Sequence, residues 1–351
     1  MAKKERSMAK LFLYHIAIFV LYKMIHMKAV IINEFGGSEV LKIEEIACPV
    51  PAPDEILVKI YASGVNPVDW VIRNGANEHL RAYLTLPLTL GWDAAGIVAS
   101  TGSQVTSLKK GDAVYGVPNF PGNGSYAEYC VAKASQFALK PKSLSFNESA
   151  SVPLAALTAW TGLLEYGKLQ SGHCVVVQGA SGGVGGFAVQ FAKAKGAYVI
   201  GIASTANLQY LLDLGADEVI DYTAQNFQDL VRNADLFLEA SPIRNNKERI
   251  KSLSTLKENG IFVSVNTDYA FDDEFLNEIG ERKLTAELSP NQPRQDWLAQ
   301  IADLIDNKQV STYINKVFPL EDVVQAHLES ETWHVRGKLV LEIRKEEILA
   351  K

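Results

Sequence analysis

A chain of 351 residues, 48% hydrophobic and 21% charged, can bury a large core and has the length of two domains. Its formal net charge of -6 and lack of a long basic run exclude broad attraction to phosphate backbones or anionic lipid, so neither nucleic acid nor a membrane surface is an expected partner. Cys48, Cys130 and Cys174 are odd in number and widely spaced, which fits no disulfide framework or metal knuckle and points to a reducing, cytoplasmic compartment.

In chain order, the first feature is a basic start, Lys3, Lys4 and Arg6, followed by the apolar run LFLYHIAIFVLY from Leu11 to Tyr22. As a helix that run covers roughly 18 Å, short of a ~30 Å hydrocarbon core, and no small-residue cleavage site follows it. Residues 1–26 read as an extension outside the fold with Met27 as the natural start; a signal or anchor, and a packed helix, stay open.

From residue 27 to about 150 the sequence carries short β-like runs, MKAVII, EILVKIYASGV, AAGIVAS, DAVYGV and YAEYCVA, separated by Pro and Gly clusters, which predicts a compact, mainly β domain. From 151 to 288 the texture alternates: VVVQ, the helical FAVQFAKAKG, YVIGIAS, LQYLLDLG, EVIDY, DLFLEAS and GIFVSVN. Apolar strand, helix, strand in repetition predicts an α/β domain with a doubly wound parallel sheet covered on both faces. In the segment 289–351 a helix-like WLAQIADLIDN precedes strand-like YINKVFPL and KLVLEI, which return to the first domain.

The glycine-rich stretch Gly179, Ala180, Ser181, Gly182, Gly183, Val184, Gly185 follows the first strand of that alternation and opens a helix. There, backbone N–H groups and the helix dipole hold a pyrophosphate without a charged side chain. The spacing departs from the strict G-x-G-x-x-G, and a lone glycine cluster is often only a loop; the flanking strand, helix and second strand make this one a dinucleotide site.

Cofactor choice rests on the end of the second strand. GIASTAN has no acid to bind a ribose 2′-hydroxyl, which leaves room for a 2′-phosphate and points to NADPH. Ser204 and Asn207 can donate to that phosphate, and Tyr222, after the next strand, can reach the same group. The competing reading makes these ordinary turn and cap residues.

GASGGVG, LGADEVIDY, GWDAAGIVASTG, VPNFPGNGSYAEY, PLAALTAW and RGKLVLEI, in this order apart from the first two, which follow the next three in the chain, resemble the zinc-independent branch of the medium-chain dehydrogenase/reductase superfamily, its quinone oxidoreductase and enone reductase members. The resemblance runs from Met27 to about Ile343. It implies a GroES-like catalytic domain split in sequence around a Rossmann domain, a substrate cleft between them, and a homodimer. Where the zinc-dependent members place a Cys and a His ligand, this chain has Asn66 and Trp92, and Gly91 to Glu128 contains no Cys for a structural zinc. Without a Lewis acid, alcohol oxidation loses its main support. The expected activity is NADPH-dependent, zinc-independent reduction of a quinone or an α,β-unsaturated carbonyl compound; an NADPH-binding structural or sensor protein is the alternative.

By the same resemblance, Asn66 lies near nicotinamide and substrate, where its amide can donate to the oxygen that gains charge. A helix cap before Pro67 is its other reading. Asp69, Trp70 and Tyr83 are expected to shape the pocket, with packing as the alternative for the two aromatics, and Thr158 is expected near the nicotinamide. His79, His173, His327 and His334 are isolated, so no dedicated acid is evident and the proton comes from solvent.

Overall fold

The computed structural model describes residues 26–346 apart from residues 76 and 77. The amino-terminal extension read from the sequence lies outside the described residues except for His26.

The first unit is antiparallel and centred on β3 (Glu55–Val65). Burial alternates along the first half of this strand, as expected where one face is solvated, and becomes continuous from Ala62 to Val65. One side of β3 pairs with β5 (Ala94–Thr101), which continues to β6 (Ala113–Gly116) and β8 (Phe137–Leu139). Its other side is shared. β7 (Tyr129–Lys133) pairs with residues 55–59, and a strand from the far end of the chain pairs with residues 62–65. A small sheet of β1 (His26–Ile32), β2 (Lys42–Ala47) and β4 (Leu88–Thr89) packs beside it.

The second unit is a six-stranded sheet in the order β11-β10-β9-β12-β13-β14, with every neighbouring pair parallel. Its strands are β9 (Cys174–Gln178), β10 (Tyr198–Ala203), β11 (Glu218–Asp221), β12 (Ala234–Glu239), β13 (Leu256–Ser264) and β14 (Thr285–Leu288). The valine run in β9 shows why such a strand reads as apolar throughout. Val175 and Val177 join the core that holds Phe187, Val189 and Phe191 of the helix α2 (Gly183–Ala194); Val176 joins the opposite core with Ile200, Phe237, Phe262 and Phe275. Both faces of the strand are covered, so its three valine positions are all apolar. A preceding helix, α1 (Pro153–Trp160), packs against α2.

After β14 come helix α3 (Gln295–Asp306), strands β15 (Ile314–Pro319) and β16 (Lys338–Glu342), and between the strands helix α4 (Val323–Glu331). β16 pairs antiparallel with residues 62–65 of β3 and parallel with β15. The carboxyl-terminal strands therefore complete the first sheet. This is an α/β chain, a GroES-like mainly β unit joined to a Rossmann-type parallel sheet.

Candidate functional site

The glycine stretch turns from β9 into α2. Gly179 has a φ of +75°, and a Cβ there would lie 2.6 Å from the Ala240 carbonyl oxygen. At Gly185 a Cβ would strike the Gly179 oxygen at 2.2 Å, so the helix approaches the strand end only because that position carries hydrogen alone. The first N–H groups of α2 have no intrahelical acceptors and face the loop, as an anion-binding helix start requires.

A second observation points to a ligand beside this loop. Gln178 Oε1, Ser241 Oγ, Ser289 Oγ and Asn291 Oδ1 are buried without hydrogen-bond partners. All four follow or end the carboxyl ends of β9, β12 and β14, the edge at which a dinucleotide lies in an open parallel sheet. Buried polar atoms of this kind are rarely left unpaired, so this edge is suited to a bound cofactor that supplies their partners. Thr158, on α1, donates to the Leu154 carbonyl at 2.7 Å and accepts from Asn291 Nδ2 at 3.0 Å, which places it at this edge.

Beyond β10, Ser204 Oγ accepts from Asn207 Nδ2 at 3.0 Å, and Asn207 Oδ1 accepts from Arg336 Nε at 2.7 Å. Arg336 also donates to the Ala206 carbonyl at 2.7 Å and lies over the rings of Tyr210 and Tyr313, 5.2 and 5.8 Å from their centroids. No Arg or Lys lies between Ala203 and Tyr222 in the sequence, and the guanidinium that meets this strand end comes from the carboxyl-terminal segment. Tyr222 follows β11 and is 56% exposed, so its phenol is free to reach outward. Asp221 pairs in register with Ala203, but the hydroxyls of Thr205 and Thr223 both donate to its carboxylate and hold it below the usual carboxylate range. An acid is therefore present one strand away, already engaged.

At the opposite end of the loop Asn66 precedes a short helix, residues 67–73, whose first residue is Pro67. Pro at that position is favourable because its missing N–H would have had no partner. The helix start is capped by Asp69, whose carboxylate accepts from the Asn66 backbone N–H at 2.8 Å; the Asn66 side chain makes no cap bond. Instead its Nδ2 donates to Asp93 Oδ2 at 2.8 Å, and its Oδ1 accepts from the Lys338 ammonium. Lys338 Nζ donates as well to Asp93 Oδ2 at 3.0 Å and to the Val65 carbonyl at 2.9 Å. Asp93 Oδ1 accepts from Leu154 N at 2.6 Å, at the start of α1, where a carboxylate is favoured. All three side chains are at least 95% buried.

The three residues expected to shape the pocket part company. Asp69 is wholly buried beneath Asn66, where Tyr126 donates to it at 2.6 Å; burial pushes its carboxyl up to about 7, against the lowering effect of Tyr126, Asn66 N–H and Lys338. Trp70 is half-buried, donates to Ser330 Oγ at 3.2 Å and meets Trp333 edge-on at 5.1 Å, so α4 and the chain after it fix its indole. Tyr83 is 77% exposed and is not brought together with the other two. Among the histidines, His327 is buried and its ring is pushed down to about 3 by desolvation and by Arg73, whose Nη1 sits 3.1 Å from Nδ1. A neutral, interior His327 has no route to a substrate.

The residues standing at the dehydrogenase zinc positions do not suit that metal. Trp92 is fully buried and its indole N–H donates to the Gly122 carbonyl at 3.0 Å, while Asn66 is paired on both ends of its amide. An indole offers no lone pair, and the Lys338 ammonium occupies the place beside Asp93. Among the described residues, no group of three His, Cys, Asp or Glu side chains is arranged to hold a metal ion.

Asp93, Lys338 and Arg336 were not singled out from the sequence. Asp93 lies inside the motif GWDAAG and both Arg336 and Lys338 inside RGKLVLEI, so the signal existed as motifs without a role.

Two family descriptions match the chain: an alcohol dehydrogenase GroES-like domain over residues 52–142 and a zinc-binding dehydrogenase over residues 214–341. The chain is 32% identical to the quinone oxidoreductase of Sus scrofa over 323 residues, covering 89% of this chain and 95% of that one. It is 39% identical over 246 residues to the 2-methylene-furan-3-one reductase of Solanum lycopersicum, covering 68% of this chain and 61% of the tomato protein. The structure of the quinone oxidoreductase from Coxiella burnetii superposes with a TM-score of 0.84 at 33% identity, covering 91% of this chain and 100% of that one. With its GroES-like sheet, its Rossmann-type sheet and a glycine loop suited to a nicotinamide dinucleotide, the chain is an oxidoreductase that belongs to the medium-chain dehydrogenase/reductase superfamily, in its quinone oxidoreductase branch.

Proposed function

We propose that this chain is an NADPH-dependent, zinc-independent reductase of quinones or α,β-unsaturated carbonyl compounds. The observation that carries the reading is the Asn66 amide. It stands where a metal ligand stands in the zinc-dependent relatives, it is buried, and Nδ2 makes one hydrogen bond, to Asp93, which leaves its second N–H unspent. A fixed amide donor in a water-poor place suits an acceptor whose oxygen gains charge as the reduction proceeds. It does not suit alcohol oxidation, which needs a base or a Lewis acid at the hydroxyl.

When bound, the reduced nicotinamide supplies the hydride. The loop from Gly179 to Gly185 would hold the pyrophosphate, Ser241, Ser289, Asn291 and Thr158 would hold the nicotinamide end, and Ser204, Asn207, Tyr222 and Arg336 would hold the 2′-phosphate. Arg336 supports NADPH over NADH, because a guanidinium hydrogen-bonded to Asn207 puts a fixed positive charge where that phosphate would lie. Among the described residues no side chain is placed to deliver a proton to the substrate, and solvent is its source in this reading. The quinone reading takes support from the pig and Coxiella relatives, and the enone reading from the tomato relative, whose substrate by name conjugates a methylene with a ketone.

Free thiols at Cys48, Cys130 and Cys174 support a reducing compartment. Among the described residues no helix is long and apolar enough to cross a membrane. A homodimer is part of the same reading; β14 leaves one side of the parallel sheet unpaired, a free edge at which a second copy can add.

The test is a panel of 1,4-benzoquinone, 9,10-phenanthrenequinone and short enals, with NADPH and NADH oxidation followed for each. Reduction of at least one acceptor class, faster with NADPH and unaffected by chelator, is the expected result. Tight NADPH binding with no acceptor reduced would replace the enzyme by a binding protein; activity lost in chelator would restore the metal.

A further inference from the structure

An amide side chain can lie either way round, and the chemistry of its neighbours decides which. On one side of Asn66 is the Lys338 ammonium, which only donates; on the other is Asp93 Oδ2, which accepts. Reversed, the amide would point N–H at an ammonium and oxygen at a carboxylate. Both contacts would turn repulsive in a place with almost no water to screen them.

Lys338 reaches Asn66 from 272 residues away in sequence, and its stem crosses the dinucleotide loop on the way. A Cβ at Gly183 would lie 2.7 Å from Lys338 Cδ, so the stem rests directly on the first residue of α2. The residue before it, Gly337, forms a parallel bridge with Gly182 and donates its N–H to the Ser181 carbonyl at 2.9 Å. Lys338 thus belongs by contact to the loop and by hydrogen bond to Asn66.

We propose that Lys338 is a positioning residue: it fixes the direction of the Asn66 amide so that one N–H stays available to the acceptor oxygen, and it ties that direction to the dinucleotide loop. The proposal rests on the reading of Asn66 as the donor in the reduction. Lys338 acts through Asn66 and is itself saturated, with three acceptors for its three N–H groups in Asn66 Oδ1, Asp93 Oδ2 and the Val65 carbonyl.

The experiment compares wild type, Lys338→Met, Lys338→Arg, Asn66→Ala and the double variant Lys338→Met/Asn66→Ala. With an acceptor that wild type reduces, Lys338→Met should lower kcat by roughly 10-fold or more, the scale of a misplaced oxyanion-type donor, with KM for the acceptor little changed. The double variant should be no slower than Asn66→Ala within about two-fold, because a residue acting through another has nothing left to act on. Lys338→Arg, which keeps the charge, should recover part of the rate. A Lys338→Met kcat within about two-fold of wild type, or a double variant showing the product of the single losses, would overturn the proposal.

A readout without cofactor separates this from the reductase reading. In protein labelled with 15N at asparagine, the side-chain amide pair that vanishes in Asn66→Ala should be one sharp pair in wild type and should split or broaden in Lys338→Met. An unchanged pair would overturn the positioning role. Failure of wild type to reduce any acceptor would instead strike the proposed function and leave the amide result to stand or fall alone.

Discussion

Two buried ion pairs, built from the same kind of chemistry, do different things in this chain. In the Rossmann unit, Arg249 meets Glu239 at 2.8 Å with both side chains at most 1% exposed. Beside the glycine loop, Lys338 meets Asp93 at 3.0 Å with side chains 5% and 0% exposed. The first pair is closed on itself. Arg249 places Nε and Nη2 on the Glu239 carboxylate, donates further to Asn246, Ser264 and the Tyr269 carbonyl, and stacks against Tyr269 and Phe271. One outward link is Asn266, which bonds Glu239 and also the Ser241 and Ile243 carbonyls of the loop after β12. The second pair is open: a third group, the Asn66 amide, bridges its two charges and still has a hydrogen to give. A charge pair whose neutral donors have all spent their hydrogens holds a backbone in place, whereas one bridged by an amide with an N–H to spare sets a direction.

That contrast can be broken most sharply by removing one cation from each pair. Arg249→Leu leaves Glu239 buried with only neutral donors, and should cost about 3–5 kcal/mol of unfolding free energy, read by chemical denaturation. Lys338→Met should cost less, roughly 1–3 kcal/mol, because Asp93 keeps the N–H groups of Asn66 and Leu154. Equal losses in the two variants would mean the pairs are alike and the distinction between them is false.

Asp69 sharpens the comparison from the other side, as a buried carboxylate with no cation bonded to it. Its carboxyl is raised to about 7, chiefly by burial, so the folded state prefers the protonated form. The stability it allows is complete below its ordinary titration and is lost as pH rises toward 7. Asp69→Asn removes that titration. Its melting temperature relative to wild type should therefore climb between pH 4 and 7, and a constant difference across that range would show that Asp69 is ionised throughout.

Arg336 tests the far end of the same segment that carries Lys338. Arg336→Ala should weaken NADPH by roughly 10-fold, the scale of one charge-assisted hydrogen bond, and leave NADH almost unchanged. Ser204→Asp should move the ratio the same way by several-fold, by setting a carboxylate against the phosphate. Parallel losses for both cofactors, measured as kcat/KM, would remove the 2′-phosphate from this place. The smallest effect is expected from Gly183→Ala. The added methyl displaces the flexible stem of Lys338, so kcat should fall by about two- to three-fold with the fold intact.

How much of this was legible follows from where the partners come from. The glycine loop could be read because strand, turn and helix are contiguous, and the two sheets because a valine run buried on both faces has no other use. Asn66 could be named, but its partners could not: Lys338 arrives from 272 residues away, and Arg336 reaches Asn207 across 129. No basic residue lies between Ala203 and Tyr222, and nothing local announces that the segment before a returning strand delivers one. Tyr83 shows the opposite difficulty. An aromatic near a cleft looks the same in sequence whether it lines the wall or stands 77% exposed.

Arg336, Gly337 and Lys338 are consecutive, yet they touch Asn207, the glycine loop and Asn66 in turn. For a cofactor clasped beneath such a strap, entry and exit are not separate events at the two ends. A displacement that parts Gly337 from Ser181 and Gly182 would draw on both neighbours at once. Displacement of this segment and loss of the organised amide would then be one motion, and a turnover limited by release of a cofactor beneath it would report on both.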